Sequence, residues 1–410
     1  VVLLLAIQNV PLVYLPLAGA LAGQNPIDLE RAARVSGAGT WTMARTVTLP
    51  LVRPALVAGA SLSYIAAAGD FGIPAVVGLP GRFTTVTTAI YRALSFSSNA
   101  DSFAAAVVLA TFLLGTAALA LLAFFRSGPQ SSVRPAAGSL YTGWPGSGGS
   151  SLVIAVTVWL WVGVVSLFPL LSMVLVALTR AYGLPMTPAN FSLLHFSQAL
   201  TRDGGQAFVR SCLLSAAAAC IIVALGTLVA VLSRGGRLGR VLETVLALPF
   251  SIPGSALAVA IILAFSRWLY GTLAIIVLAY VARFCLLGSR PVSGALASIG
   301  PDPIRAARIF GASPLRGLIT GALRAVLPAV CAGWLLAFLT ALHELTVSSL
   351  LYTPATQTIA VVVLNAEQLG DVSMTAALGV LLTAILLILA IPLVAWRSFA
   401  GSLGQSTLNT

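Results

Sequence analysis

Asp70 and Glu344 are the two acids whose placement invites chemistry. They lie 274 positions apart (344 − 70), each just past an apolar run long enough to span a bilayer. An ionisable group near membrane depth is costly and marks a functional candidate by default. Two carboxylates delivered to one pathway would also supply the oxygen ligands that a hard cation prefers. Tyr91 and Tyr352 add phenols nearby, although they do not share the 274-residue offset. The competing role for each acid is structural: capping a short helix, or pairing with Arg82 or backbone amides.

Other chemistry is poorly provided for. His343-Glu344 opens like a zincin motif, but Val347 stands where HExxH needs its second histidine. His195, within TPANFSLLHFSQAL, reads as a solvated loop histidine. Cys212, Cys220, Cys285 and Cys331 lie in or beside apolar runs without CxxC spacing, which suits packing better than a disulfide or metal site. No GxSxG stands out. Glu243 and the Asp28–Glu30 pair read as helix-terminal charges. All 22 basic residues are arginine. A Walker A loop needs its lysine to reach the phosphates, so this chain cannot carry that site, and any ATP that drives it is bound by another subunit.

The two acids belong to a longer repeat, and its most polar part is a pair of basic stretches. DLERAARVSGAGTWTMARTVTLPLVRP runs from Asp28 to Pro54, and DPIRAARIFGASPLRGLITGALRAVLP from Asp302 to Pro328. Without a gap, Arg31-Ala32-Ala33-Arg34 falls on Arg305-Ala306-Ala307-Arg308, and Gly37 falls on Gly311. A fixed-offset repeat means one unit used twice. Each stretch predicts two short helices around its glycine, which tolerates the backbone angles of the turn. In the second copy Asp302 and Pro303 supply a helix start, and Ser313-Pro314 supplies another. A basic helical turn between apolar segments is suited to being gripped by another protein.

This pattern resembles the EAA loop of binding-protein-dependent ABC importer permeases: Glu-Ala-Ala, three residues, Gly, then Leu-Pro. Ala32-Ala33-Gly37 with Leu49-Pro50 matches it, as does Ala306-Ala307-Gly311. Arg31 and Arg305 stand where that family often has Glu, and Arg324 stands where the first copy has Pro50. The resemblance implies that Arg31, Ala32, Ala33 and Gly37, with Arg305, Ala306, Ala307 and Gly311, form coupling helices that dock on ATPase subunits. It further implies two tandem MetI-like permease units in an all-α integral membrane protein. GDFGIPAVVGLPGRF and ELTVSSLLYTPATQT look most like the ferric-iron branch, while thiamine and polyamine permeases share the loops.

Composition and periodicity agree on the class. With 59% hydrophobic and 8% charged residues the chain is unlike an ordinary soluble domain. Spans are predicted at 1–20, 51–68 and 103–125, then at 151–178, 207–233, 242–266, 271–289, 326–345 and 374–397. The first three match the last three, so the chain is expected to lack about three helices and roughly 120 residues at its N-terminus. The organisation expected is residues 1–125 as the C-terminal part of a first unit, 126–150 as a Gly/Ser/Pro-rich cytoplasmic linker, and 151–410 as a second unit. Placing both basic loops inside puts Arg82, Arg92, Arg180, Arg202, Arg210 and Arg267 outside and the other sixteen (22 − 6) inside, as the positive-inside rule requires. Net charge of this kind orients a membrane chain and predicts no nucleic-acid partner.

The reading that follows is a permease in the bacterial inner membrane, surrounded by lipid, with Asp70, Glu344, Tyr91 and Tyr352 along its pathway. The resemblance implies two copies of a cytoplasmic ABC ATPase carrying ATP and Mg, an external binding protein, and alternating access without covalent chemistry or a cofactor on this chain. A repeat-built secondary transporter is the rival from another class. It would not explain two Gly-centred basic loops.

Overall fold

The computed structural model describes residues 1–24, 27–96, 99–126, 150–185, 187–201, 203–233, 237–299, 309, 311 and 314–406. Among these the regular structure is helical, apart from one isolated bridge between Thr179 and Phe191. The helices are α1 (Val2–Gln24), α2 (Ile27–Val35), α3 (Thr40–Met43), α4 (Leu49–Gly69), α5 (Val86–Ser95), α6 (Ala100–Arg126), α7 (Ser150–Val162), α8 (Phe168–Leu178) and α9 (Leu194–Thr201). They continue as α10 (Asp203–Leu232), α11 (Arg237–Ala247), α12 (Gly254–Leu269), α13 (Leu273–Ile299), α14 (Pro314–Leu342), α15 (Ser348–Leu351), α16 (Ile359–Gln368) and α17 (Val372–Ser406). They gather into two compact units, Val1–Pro169 with Ser251–Ala256 and Leu170–Phe250 with Leu257–Thr410. Most of the expected linker, residues 127–149, lies outside the described residues.

Among the described residues, seven helical stretches are long and apolar enough to cross a membrane: Val2–Leu21, Thr40–Gly69, Ala100–Arg126, Leu152–Leu178, Gly204–Leu232, Leu273–Ser298 and Val372–Leu389. A shorter apolar stretch, Val326–Leu342, answers the span expected at 326–345. The span expected at 242–266 differs in form. It is two helices, Val241–Ser251 and Gly254–Leu269, bent by 107°. Pro253 occupies the break, where it offers no amide to a helical ladder and pushes Ile252 out of helical angles.

Small residues set how closely the spans pack. α4 buries Val52, Ala55, Ala58, Gly59, Ser61, Ile65 and Gly69, a stripe at spacings of one to four residues along one face. In lipid there is no hydrophobic drive between helices, so close backbone approach carries the packing. A Cβ added at Gly59 would lie 2.9 Å from the Cα of Val13 on α1. The repeat-related pair faces the same way with looser contact: a Cβ on Gly333 (59 + 274) of α14 would meet the carbonyls of Gly288 at 3.5 Å and Leu287 (13 + 274) at 3.6 Å on α13. The repeat read in the sequence is therefore present in the packing, with α1 and α4 answering to α13 and α14.

The tightest crossing described in the second unit joins α10 to α13. A Cβ on Gly226 would stand 2.5 Å from the carbonyl carbon of Gly288, which is backbone and cannot rotate away. Gly226→Ala is therefore expected to cost about 1–3 kcal/mol through overpacking. A melting temperature unchanged from the parent protein, measured in detergent, would show that this crossing relaxes freely.

Candidate functional site

The first basic loop is built as a helix–glycine–helix turn. α2 ends in a Schellman cap: the Gly37 amide donates to the Arg34 carbonyl at 2.9 Å and the Ala38 amide to the Ala33 carbonyl at 3.0 Å. The cap needs a left-handed residue, and Gly37 supplies it with φ of +83°. α3 starts three residues later and runs through a π-helical turn, Ala44–Thr48, into α4. Thr48 Oγ1 donates to Glu30 Oε1 at 3.3 Å, which ties the turn back to α2. Arg31, Ala32, Arg34, Val35 and Gly37 are exposed, while Ala33 is half-buried beneath the cap.

Of the second loop, Arg305, Ala306 and Ala307 lie outside the described residues, as does Asp302. Gly311 is described and has the same φ of +83°. Two residues before each glycine stands an exposed β-branched side chain, Val35 at 90% and Ile309 at 83% (35 + 274). Trp41 is 78% exposed beside the first. These apolar residues are not legible as site residues in the sequence, because a lone Val or Ile in a basic stretch carries no pattern of its own. The arrangement is a positively charged turn with a protruding apolar residue, suited to filling a cleft in a partner.

The two acids occupy equivalent corners at the far ends of α4 and α14. Asp70 Oδ1 accepts the Ile73 amide at 3.1 Å, and Glu344 Oε1 accepts the Val347 amide at 2.9 Å. The offset is the same in both, and each acid caps the turn that follows its span. Each acid also receives a side chain from the preceding span of its own unit. Gln8 Nε2 on α1 donates to Asp70 Oδ2 at 3.2 Å. Arg283 Nη1 on α13 lies 3.4 Å from Glu344 Oε1. The repeat register places Arg283 on Asn9 (283 − 274), one residue from Gln8.

Glu344 is 8% exposed, so its partners matter more than its charge alone. Its carbonyl accepts Ser348 Oγ–H at 2.8 Å, and the Ser348 hydroxyl lies 2.7 Å from the Tyr280 hydroxyl. The Arg283 guanidinium sits over the Phe284 ring, 5.7 Å from its centroid. In the first unit, Thr87 Oγ1 donates to the Asp70 carbonyl at 2.8 Å. Tyr91 is buried against Phe71, the residue after Asp70, with ring centroids 4.9 Å apart. Tyr352 is half-buried just past α15, its amide donating to the Ser348 carbonyl at 3.0 Å.

Arg283 and Gln8 are site residues that the sequence pattern does not single out. Orientation by loop charge puts Arg283 among the inside arginines, yet it lies ten residues into α13 (283 − 273), within the candidate span Leu273–Ser298. A lone arginine in LAIIVLAYVARFCLLG is itself the signal that could find it. His195 also differs from its expected setting, being half-buried with Nε2 3.1 Å from the Arg180 carbonyl. Among the described residues, no three His, Cys, Asp or Glu side chains group as metal ligands.

Comparison with known proteins adds relatives to this geometry. The family described as "Binding-protein-dependent transport system inner membrane component" matches residues 1–130 and 222–399. The ferric transport system permease protein FbpB of Actinobacillus pleuropneumoniae is 24% identical over 385 residues, 92% of this chain and 55% of that protein. The molybdenum transport system permease protein ModB of Escherichia coli K12 is 38% identical over 92 residues, 22% of this chain and 40% of that protein. The putative 2-aminoethylphosphonate permease PhnV of Salmonella typhimurium is 29% identical over 223 residues, 53% of this chain and 83% of that protein. The chain thus spans about half the length of the first two. Among solved structures, a bacterial ABC transporter involved in import of the acidic polysaccharide alginate superposes with a TM-score of 0.51 at 14% identity. That match covers 60% of this chain and 94% of the other, a likeness of fold.

Proposed function

The chain belongs to the binding-protein-dependent transport system inner membrane component family, and from that premise we propose that it moves ferric iron across the bacterial inner membrane. Membership makes it a multi-pass ABC importer permease, a subunit that works with an ATPase and a substrate-binding protein. The observation that carries the iron reading is the alignment with the ferric permease over 92% of this chain.

In this reading two copies of a cytoplasmic ATPase, carrying ATP and Mg, grip the loops at Arg31–Gly37 and Arg305–Gly311. Closure of the ATPases moves both loops, and the spans alternate between inward-open and outward-open arrangements. Cargo arrives from an external binding protein and passes the corners at Asp70 and Glu344, with Tyr91 and Tyr352 beside them. No covalent step is assigned to this chain.

One observation favours a second reading. Glu344 already faces a guanidinium, so the second corner offers a cation less than a free carboxylate would. Together with the local 38% identity to a molybdenum permease, this supports an oxyanion as cargo. Liposomes holding the complete permease, its ATPase and the binding protein separate the two. ATP-dependent uptake of radiolabelled ferric iron that molybdate does not compete is the expected result. ATPase activity stimulated by the binding protein without iron uptake would discard the metal and leave oxyanions, thiamine and polyamines to be tried.

A further inference from the structure

The two acid corners and the two basic loops sit at opposite ends of matched helix pairs. α1 and α4 are joined through the first loop, and α13 and α14 flank the second. From Gln8 to the end of α1 is sixteen residues (24 − 8), and from Arg283 to the end of α13 is also sixteen (299 − 283). At the helical rise this places each side-chain tie about 24 Å from the loop end of its pair. Between tie and loop, a glycine in each pair lies against the neighbouring backbone, Gly59 closely at Val13 and Gly333 in ordinary contact with Gly288 and Leu287. Each pair is therefore held at three levels: loop, glycine contact and corner.

We propose that Gln8–Asp70 and Arg283–Glu344 are coupling clasps, which make each helix pair move as one lever between its ATPase-docking loop and its pathway corner. The proposal rests on the importer reading above, but on no particular cargo. Without a clasp, a push on the loop can be absorbed by sliding α13 against α14, since helices in lipid hold one another by packing and polar contacts alone. With it, the corner that Glu344 caps must follow the loop. Gln8, Arg283 and the acids are positioning residues in this scheme, because they hold helices and need not touch cargo. The repeat supports the assignment: the two units keep the tie at neighbouring register positions while changing its chemistry from amide–carboxylate to guanidinium–carboxylate.

The test uses the complete transporter with its ATPase and binding protein. Arg283→Gln removes one clasp, and Gln8→Leu removes the other without leaving a buried charge. Arg283→Lys keeps a cation facing Glu344 and leaves the Val347 cap in place. The first readout is ATP hydrolysed per cargo molecule imported, expected to rise about tenfold in Arg283→Gln and in Gln8→Leu and to stay near the parent value in Arg283→Lys. A parallel fall of hydrolysis and uptake, the mark of a merely structural role, would overturn the proposal.

The second readout does not depend on cargo. Spin labels at the exposed positions Leu273 on α13 and Leu336 on α14 report the separation of the pair with and without trapped ATP. The separation is expected to stay fixed in the clasped protein and to change on trapping in Arg283→Gln. The same nucleotide response in both proteins would dispose of the clasp, whereas absence of ATP-driven uptake with a clasped, fixed pair would dispose of the importer reading instead.

Discussion

Gly37→Pro together with Gly311→Pro is expected to abolish uptake while leaving membrane insertion intact. Both glycines hold φ of +83°. Proline is locked near −65°, so the turn between the two short helices cannot form. Proline at 37 also deletes the amide that donates to the Arg34 carbonyl, half of the cap that ends α2. Alanine at the same positions separates geometry from cap: it keeps the amide and adds only the left-handed penalty, about 1–2 kcal/mol per residue. The alanine pair should therefore retain partial uptake and partial ATPase association, and the proline pair neither. A Cβ added at either glycine would meet nothing within 4 Å, so loss of function would not come from a steric clash within this chain. Normal uptake in the proline pair would mean that the loops do not transmit ATPase movement.

How much of this is legible in the sequence divides along physical lines. Span positions are readable because apolar length is a property of local composition, and the repeat is readable because its register holds without a gap. Both are one-dimensional signals. The break at Pro253 is available in principle, since proline inside an apolar run is a local cue, but hydropathy averaged over the run outweighs it. The Schellman cap follows from Gly37, which is legible as a turn. What is not legible is everything that depends on which helix lies against which. Asp70 and Glu344 can be seen as equivalent acids, whereas their partners sit 62 and 61 residues away on other spans (70 − 8 and 344 − 283). Nothing local announces Gln8 as the partner of Asp70. Arg283 announces itself only as a charge in the wrong solvent, and a charge tally by loops absorbs it.

The corners also change how the acids are weighed. Glu344 has one carboxylate oxygen, Oε1, engaged by the turn amide and the guanidinium before any cargo arrives. Breaking such a pair by removing one partner costs about 3–5 kcal/mol, because it leaves a buried charge without compensation. Neutralising Glu344 therefore tests corner stability and cargo chemistry at once. Arg283→Gln leaves the buried Glu344 carboxylate unpaired at a similar cost, whereas Gln8→Leu removes an uncharged partner of a half-buried acid and separates the two.

The second large effect is expected at the tips of the loops. Val35→Asp with Ile309→Asp should leave the permease folded and inserted, since both side chains protrude into solvent at 90% and 83% exposure. They touch too little to stabilise this chain, so their apolar surface matters chiefly where a partner covers it. Burying a Val or Ile side chain contributes about 1.5–3 kcal/mol. Aspartate forfeits that and places an unpaired charge in the contact. Near 2 kcal/mol per loop, each substitution weakens ATPase association about 30-fold. Losses at independent sites add, so the double variant should fall about 1,000-fold. Val35→Ile with Ile309→Val keeps the apolar shape and should bind like the parent. Val35→Ala with Ile309→Ala removes apolar surface without changing the charge that Arg31 and Arg34 supply beside Val35, and should weaken association in the same direction. Equal ATPase association in the aspartate and the exchanged variants, read by titrating purified ATPase onto the reconstituted permease, would show that these side chains stay in water. The basic surface alone would then have to hold the partner, and association would weaken steeply with salt.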